Sequence, residues 1–409
     1  MSNSDPVNDK AKQNKTRLLV LTTTFPRWHK DVEPPFVFEL CRRLEDFEVH
    51  VVAPHAPDAE TEEIMDGIHV HRFRYAPKKL ETLAFGGGIA ANLKRSPWKY
   101  LLLQGFLLGM FFRAFQVARE HKIHLIHAHW MIPTGLIGAT LKELLPGDNK
   151  LLVTAHGGDV HGLKGRFFQA LRRWVAGEAD TLSVVSRSLH EVGITEAWEA
   201  QHMPVAPMGC DLQNTFFPRE KQPRRPTLLY AGRLSPTKGV PHLLEAMKAV
   251  VEANPDTSLL IAGDGELEAP LKRQCTDLGL EENVTFLGRY ALEALPGLFA
   301  RSDIAVLPFV VTPDGNADGF GLTTIEAMGS GLPVVVGDVP ASREIVEHQK
   351  TGLLVQANDP EQLSKAILSL LNDPASARKI AQNGRKTVAE QFDWSACAAR
   401  YSEILHDLC

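Results

Sequence analysis

Residues 227–253 read TLLYAGRLSPTKGVPHLLEAMKAVVEA. The opening five are a short apolar run without polar alternation, the pattern of a strand covered on both faces. A loop follows in which Gly232 permits a tight turn. From His242 to Ala253, apolar residues recur at helical spacing. Strand, loop and helix in this order make half of a βαβ unit, and in an open α/β sheet ligands sit at the carboxyl ends of strands. Arg233 and Lys238 place a planar fork and a compact point charge on this loop, a pair suited to a diphosphate. Two solvated surface cations would be the ordinary reading if the loop stood alone.

The same pattern extends outward in both directions. Ser258–Ala262, Val284–Leu287, Ile304–Leu307 and Pro333–Val336 read as further strands of the second half. Arg17–Thr22, Val49–Ala53, His124–Ala128, Leu151–Thr154 and Thr181–Val185 read as strands of the first half, with a helix expected over Pro35–Phe47. Buried parallel strands need crossover helices. Asp359 and Asp373, each followed by proline, supply N-cap and N1 signals for two such helices. The stretch 214–226 carries three prolines, clustered charges and no apolar period, and reads as a linker. Two doubly wound α/β domains are therefore expected, spanning 17–213 and 227–409, after a disordered polar lead-in at 1–16.

The whole chain has 409 residues, 44% hydrophobic and 23% charged, which excludes wholesale disorder, a coiled coil or a collagen-like repeat. A net charge of −5 gives no global push toward nucleic acid, and none is expected as a partner. Five scattered cysteines without a CxxC pair suit a reducing compartment, and the lead-in lacks the apolar core of a signal peptide. A cytoplasmic location is expected. The most apolar stretch, Trp98–Phe115, is interrupted by Lys99, Gln104 and Arg113. It reads as a buried helix, with a membrane-surface helix flanked by Lys94, Arg95 and Trp98 as the sharper alternative. Gly86-Gly87-Gly88 just before it reads as a flexible loop.

A second anion site is written in residues 318–331, DGFGLTTIEAMGSG. Its glycines lead directly into a helix, so free N–H groups around Gly321, Leu322 and Thr323 and the helix dipole favour an anion. Glu326 lies about one turn in and suits vicinal sugar or ribose hydroxyls. His127 and His129 share a face of a probable strand near His121 and His124. No third ligand of matching spacing follows, so no metal is expected there. Asp264 and Glu266 in GDGE are the nearest candidate pair for Mg²⁺ or Mn²⁺, and read as a turn.

With these residues in hand, the chain resembles the retaining glycosyltransferases of family 4. The block DGFGLTTIEAMGSGLPVV is similar to that family's acid-x7-acid signature, and GRLSPTKG to its diphosphate loop. IAGDGE, VTFLGRY, SDIAVLPF and VGDVPASREIVEHQKTGLLV continue the likeness through the C-terminal half. HAHWMIPTG, TAHGGDV and SVVSRS carry a looser one through the N-terminal half. The resemblance implies a GT-B fold of two Rossmann-like domains facing a central cleft, the second binding the nucleotide-sugar and the first lying on the acceptor side. It implies that the last helix, 394–408, packs back on the N-terminal domain. Carried over residue by residue, Arg233 and Lys238 hold the donor diphosphate and Glu326 the ribose hydroxyls. Asp318 contacts the transferred sugar where the family usually has Glu. Gly232, Phe320, Gly321, Leu322 and Thr323 line the donor, Gly263 and Gly265 let it approach closely, and His156 meets the donor sugar. The family's Gly-Gly loop after the first strand is replaced by Thr22-Thr23-Thr24-Phe25-Pro26-Arg27, so Thr24 and Arg27 are the expected phosphate or acceptor groups there. Asp159 meets the acceptor or fixes the turn after Gly157-Gly158.

The implied activity is a retaining, metal-independent transfer from a UDP- or GDP-sugar to a glycan or lipid-linked acceptor in envelope or polysaccharide synthesis. The nucleotide-sugar is a substrate, so no cofactor is expected. A peripheral contact with the inner face of a membrane accompanies the lipid-linked alternative. Two other readings stay open: a nucleotide-sugar epimerase of the same fold, and a catalytically weak donor-binding subunit of a transferase complex.

Overall fold

The computed structural model describes residues 15–29, 31, 36–86, 88–220, 225–313 and 321–409. The chain divides into two compact units, one of Met1–Val185, Leu189–Ala206 and Ala398–Cys409, the other of Ser186–Ser188 and Pro207–Cys397.

In the first unit the apolar runs become β1 (Thr16–Leu21), β2 (Phe47–Pro54), β3 (Glu62–Met65), β4 (Ile68–Phe73), β5 (Leu125–His129), β6 (Lys150–Ala155) and β7 (Thr181–Val184). They pair in the order β3-β4-β2-β1-β5-β6-β7, all parallel except the β3–β4 hairpin at the edge. Leu18–Leu21 at the sheet centre are fully buried, each worth about 1.5–3 kcal/mol of transfer free energy. Tyr401 in the last helix, Trp394–His406, donates its phenolic O–H to the Ala206 carbonyl at 2.7 Å, inside this unit.

The second unit holds β8 (Thr227–Ala231), β9 (Ser258–Ala262), β10 (Val284–Gly288), β11 (Ile304–Leu307), β12 (Val334–Gly337) and β13 (Leu353–Val355). Their order is β10-β9-β8-β11-β12-β13, parallel throughout. Asp359 accepts from Gln362 N at 2.9 Å and Asp373 from Ser376 N at 3.0 Å, so both aspartates cap the helices their sequences announced.

Three elements differ from the sequence reading. The expected helix over Pro35–Phe47 ends at Cys41, and Phe47 instead opens β2 opposite Thr16. The alternating FEVHVV pattern gains a full ladder beside β1, which one more helical turn could not match. The β3–β4 hairpin turns at Asp66-Gly67, both at positive φ, an Asp-Gly signal between alternating strands. β13 is only three residues long, below the length at which an apolar run stands out.

The helix Tyr100–Glu120 buries Leu102, Phe106, Met110, Ala114, Val117 and Ala118. Gly105 and Gly109 let it touch backbone: a β-carbon there would lie 2.5 Å from Tyr75 O and 2.6 Å from Arg74 O. By length and composition the stretch Pro97–Glu120 could cross a membrane, yet this face is committed to the unit. Its other face exposes Leu101, Leu108 and Phe112, with Trp98 and Tyr100 exposed just before.

At Gly263 a β-carbon would fall 1.8 Å from Gly232 O, whereas at Gly297 it would meet open space within a helix. Gly263→Ala should therefore lower the urea midpoint by the equivalent of about 1–3 kcal/mol or more. Gly297→Ala should leave it unchanged or raise it.

Candidate functional site

In the second unit the chain steps outward from β8 to β10 on one side, then returns to build β11 to β13 on the other. Strand order therefore reverses between β8 and β11, and the crevice outside their carboxyl ends is the expected ligand position. The loop Gly232–Gly239 leaves β8 there, and the segment from Pro308 leaves β11. The two loops are joined directly: Val310 N donates to Thr237 O at 3.0 Å, and Lys238 Nζ sits 4.7 Å from the Phe309 ring centre. Gly239 adopts a left-handed conformation, and a β-carbon on it would meet Pro308 O at 1.8 Å. Only glycine fits.

Arg233 is exposed and forms no ion pair among the described residues. Its own carbonyl is held by Tyr230 Oη at 2.8 Å, so the loop is fixed while the guanidinium stays in solvent. Gly263 and Gly265 pack against Gly232 O and Leu234 O, and Leu234 N donates to Asp264 O at 2.8 Å. Backbone packing between the loops after β8 and β9 accounts for these two glycines, so close approach of a nucleotide is not needed to explain them.

Gly321, left-handed at φ 70°, caps the helix Leu322–Gly329 and leaves the N–H groups of Leu322 and Thr323 at its open end. Asp318 and Phe320 lie outside the described residues. Glu326 is half-buried, and its carboxylate makes no hydrogen bond or ion pair among the described residues. Burial pushes its pKa up to about 7. Its charge adds to burial in raising the Cys210 thiol and in lifting Tyr290 to about 12. A carboxylate left desolvated and unpaired is a typical mark of a ligand site.

In the first unit the reversal lies between β1 and β5. After β1, Thr22 Oγ1 accepts from Thr24 N and donates to Thr24 O, closing a small turn. Arg27 donates from Nε to Asp31 Oδ2 at 2.8 Å and from Nη2 to Asp31 Oδ1 at 2.6 Å, and lies 4.4 Å from the Trp28 ring. Its fork is already paired, which weakens the expected phosphate role. Buried Arg72 on β4, which the sequence reading passed over, donates to Pro26 O and Arg27 O and pins this loop from beneath.

His156 follows β6, half-buried between Phe36 and Trp130, with ring centres 5.2 and 4.9 Å away. Its Nε2 shares a 3.0 Å hydrogen bond with His129 Nδ1. His127 Nε2 pairs with Thr154 Oγ1 at 2.8 Å. Burial holds His127 and His156 down to about 3 and His129 well below its usual value. These rings are neutral hydrogen-bonding groups at neutral pH. Asp159 accepts from Met131 N at 2.6 Å and from His156 N at 3.2 Å, tying the loops after β5 and β6 together. Of the two readings of Asp159, fixing the loop is the one this geometry supports.

Residues 212–387 match the family described as glycosyl transferases group 1, and residues 35–207 the glycosyl transferase 4-like domain. A GDP-mannose-dependent monoacylated alpha-(1-6)-phosphatidylinositol monomannoside mannosyltransferase of Corynebacterium glutamicum is 30% identical, over 71% of this chain and 78% of the relative. A glycogen synthase of Mycobacterium tuberculosis is 29% identical over 70% of this chain and 69% of its own. The solved sucrose-phosphate synthase of Thermosynechococcus elongatus superposes with a TM-score of 0.75 at 22% identity, covering 96% of this chain and 99% of that one.

The raised pKa of Glu326 has a stability consequence. Between about 4.5 and about 7 the folded protein holds a proton that the unfolded chain has lost, so stability falls as pH rises through that window. The full loss is at most roughly 3 kcal/mol, reached above pH 7. Urea melts from pH 4.5 to 8 should show this decline in the wild type and lack it in Glu326→Gln.

Proposed function

The chain belongs to the group 1 glycosyltransferases of GT-B fold, and on that premise we propose a retaining, metal-independent transfer from a UDP- or GDP-sugar to a glycan or lipid-linked acceptor. It is a nucleotide-sugar glycosyltransferase; the stereochemistry, the freedom from metal and the substrates are the proposed part. One observation carries the reading. The cation-bearing loop after β8 and the segment Pro308–Val310 leaving β11 meet at the strand-order reversal of one sheet.

Departure of a nucleoside diphosphate builds negative charge on its terminal phosphate. Arg233, Lys238 and the N–H groups of Leu322 and Thr323 are assigned to that charge, which they stabilise more as it grows. Glu326 takes the ribose hydroxyls, whose O–H groups favour its ionised form and relieve the cost of its burial. Gly232 and Gly321 let backbone come close to the donor, with Asp318 and Phe320 assigned to the same ligand. The acceptor attacks from the face the diphosphate leaves, and the departing phosphate takes its proton. His156, neutral through burial, hydrogen-bonds a sugar hydroxyl and is not the base. Thr24 remains the assigned acceptor-side hydroxyl.

A lipid-linked acceptor is supported by the exposed apolar stripe Leu101, Leu108 and Phe112 beside exposed Lys94, Arg95 and Trp98. Lys99 is not part of that basic rim, since its Nζ donates to Thr82 O and Asn92 Oδ1. The name of the Corynebacterium relative, GDP-mannose-dependent and acting on a monoacylated phosphatidylinositol monomannoside, points the same way. A cytoplasmic protein resting on the inner membrane face is the matching location.

Arg233→Ala and Glu326→Gln should each lower transfer by about 10²–10³ with folding intact, measured on whichever donor gives the largest thermal shift among GDP-, UDP- and ADP-sugars. Unchanged transfer in either variant sinks the site. Product anomers read by NMR test retention, and EDTA should leave the initial rate unchanged. Anionic liposomes should sediment the wild type and lose the Lys94→Glu/Arg95→Glu variant; no sedimentation of the wild type removes the membrane reading.

A further inference from the structure

The first unit holds a group of histidines that the transfer site does not use. His50 on β2 and His71 on β4 are buried, and His121 caps the helix Tyr100–Glu120. Each offers one ring nitrogen within 4.8 Å of the other two. The His50 and His121 ring centres are 4.2 Å apart, and those of His71 and His121 5.6 Å.

The separation of the first two nitrogens is informative. His50 Nδ1 and His71 Nε2 are 3.1 Å apart. Two nitrogens on one tetrahedral zinc, each at about 2.0–2.1 Å, stand about 3.3 Å apart. Behind each ring is a carboxylate. Glu48 Oε1 lies 3.1 Å from His50 Nε2, on the side away from His71. Glu62 Oε1 lies 3.9 Å from His71 Nδ1, a buried atom with no hydrogen-bond partner, and is itself held by Arg113. A carboxylate on the far nitrogen is what fixes tautomer and orientation in histidine ligands. His69, whose ring stacks on His50 at 4.7 Å, completes the cluster from the paired position on β4.

We propose that His50, His71 and His121 form a three-histidine site for a divalent transition metal, zinc by its donor chemistry, with Glu48 and Glu62 orienting the rings. The remaining coordination position falls to water. Bound there, the ion cross-links β2, β4 and the end of the long helix. The site stands apart from the transfer reading and departs from the sequence expectation of no metal.

The test uses the full chain, stripped with chelator and titrated with Zn²⁺ and Co²⁺. One equivalent should bind, with intense visible absorption bands for cobalt and a raised melting temperature for both ions. His121→Gln and His71→Gln should each weaken binding by about tenfold or more, since loss of an orienting partner alone costs that much. Circular dichroism reports whether each variant folds, and if His71→Gln does not, half-buried His121 decides. No equivalent bound by the wild type, or wild-type affinity in folded His121→Gln, overturns the site.

Discussion

The segment Pro308-Phe309, leaving β11, is gripped between two glycines. A β-carbon at Gly239 would meet Pro308 O at 1.8 Å, and one at Gly337 would meet Phe309 O at 2.0 Å. With no side chain as spacer, the loop after β8, the exit of β11 and the end of β12 share one backbone-to-backbone contact. Packing this close transmits position rather than absorbing it. The place of Lys238 over Phe309 follows from it.

The first unit reaches the same end with side chains. Asp159 binds two backbone N–H groups from two loops, and Arg72 holds two carbonyls of a third. Each is a buried polar group that holds main chain by hydrogen bonds, Arg72 pairing with the Glu63 carboxylate as well, which is how a loop is made rigid without a ladder. The neutral imidazoles between Thr154 and His156 complete a polar interior beneath the aromatic wall of Phe36 and Trp130. The chemistry proposed for the two units differs accordingly: fixed cations and helix N–H groups in one, uncharged hydrogen-bonding rings in the other.

Much of this was legible in the order of the residues. Parallel strands covered on both faces are apolar without alternation, so β1, β5, β6, β8, β9 and β11 stand out locally. Arg233, Lys238 and Glu326 were legible because their neighbours are glycines at strand–helix junctions, a signal carried within a few residues. What escaped notice depends on partners distant in the chain. Gly263 looks like a nucleotide contact until Gly232, some thirty positions earlier, is seen against it. His50, His71 and His121 span seventy-odd positions and obey no ligand spacing, because the sheet and not the sequence brings them together. The Asp66-Gly67 hairpin is the exception. Its signal was local, and the charged residues of β3 concealed the alternation.

The seating of the long helix on Arg74 and Tyr75 has a mechanical meaning. Gly105 and Gly109 remove the cushion of side chains that lets packed helices slide, so the helix axis is keyed to two particular carbonyls. Arg72, two positions before the first of these on the same chain segment, grips the loop that carries Arg27. The helix that carries Leu101, Leu108 and Phe112 and the loop after β1 are thus both anchored at the end of β4. The position of the helix and that of the loop are set by neighbouring residues of one strand end.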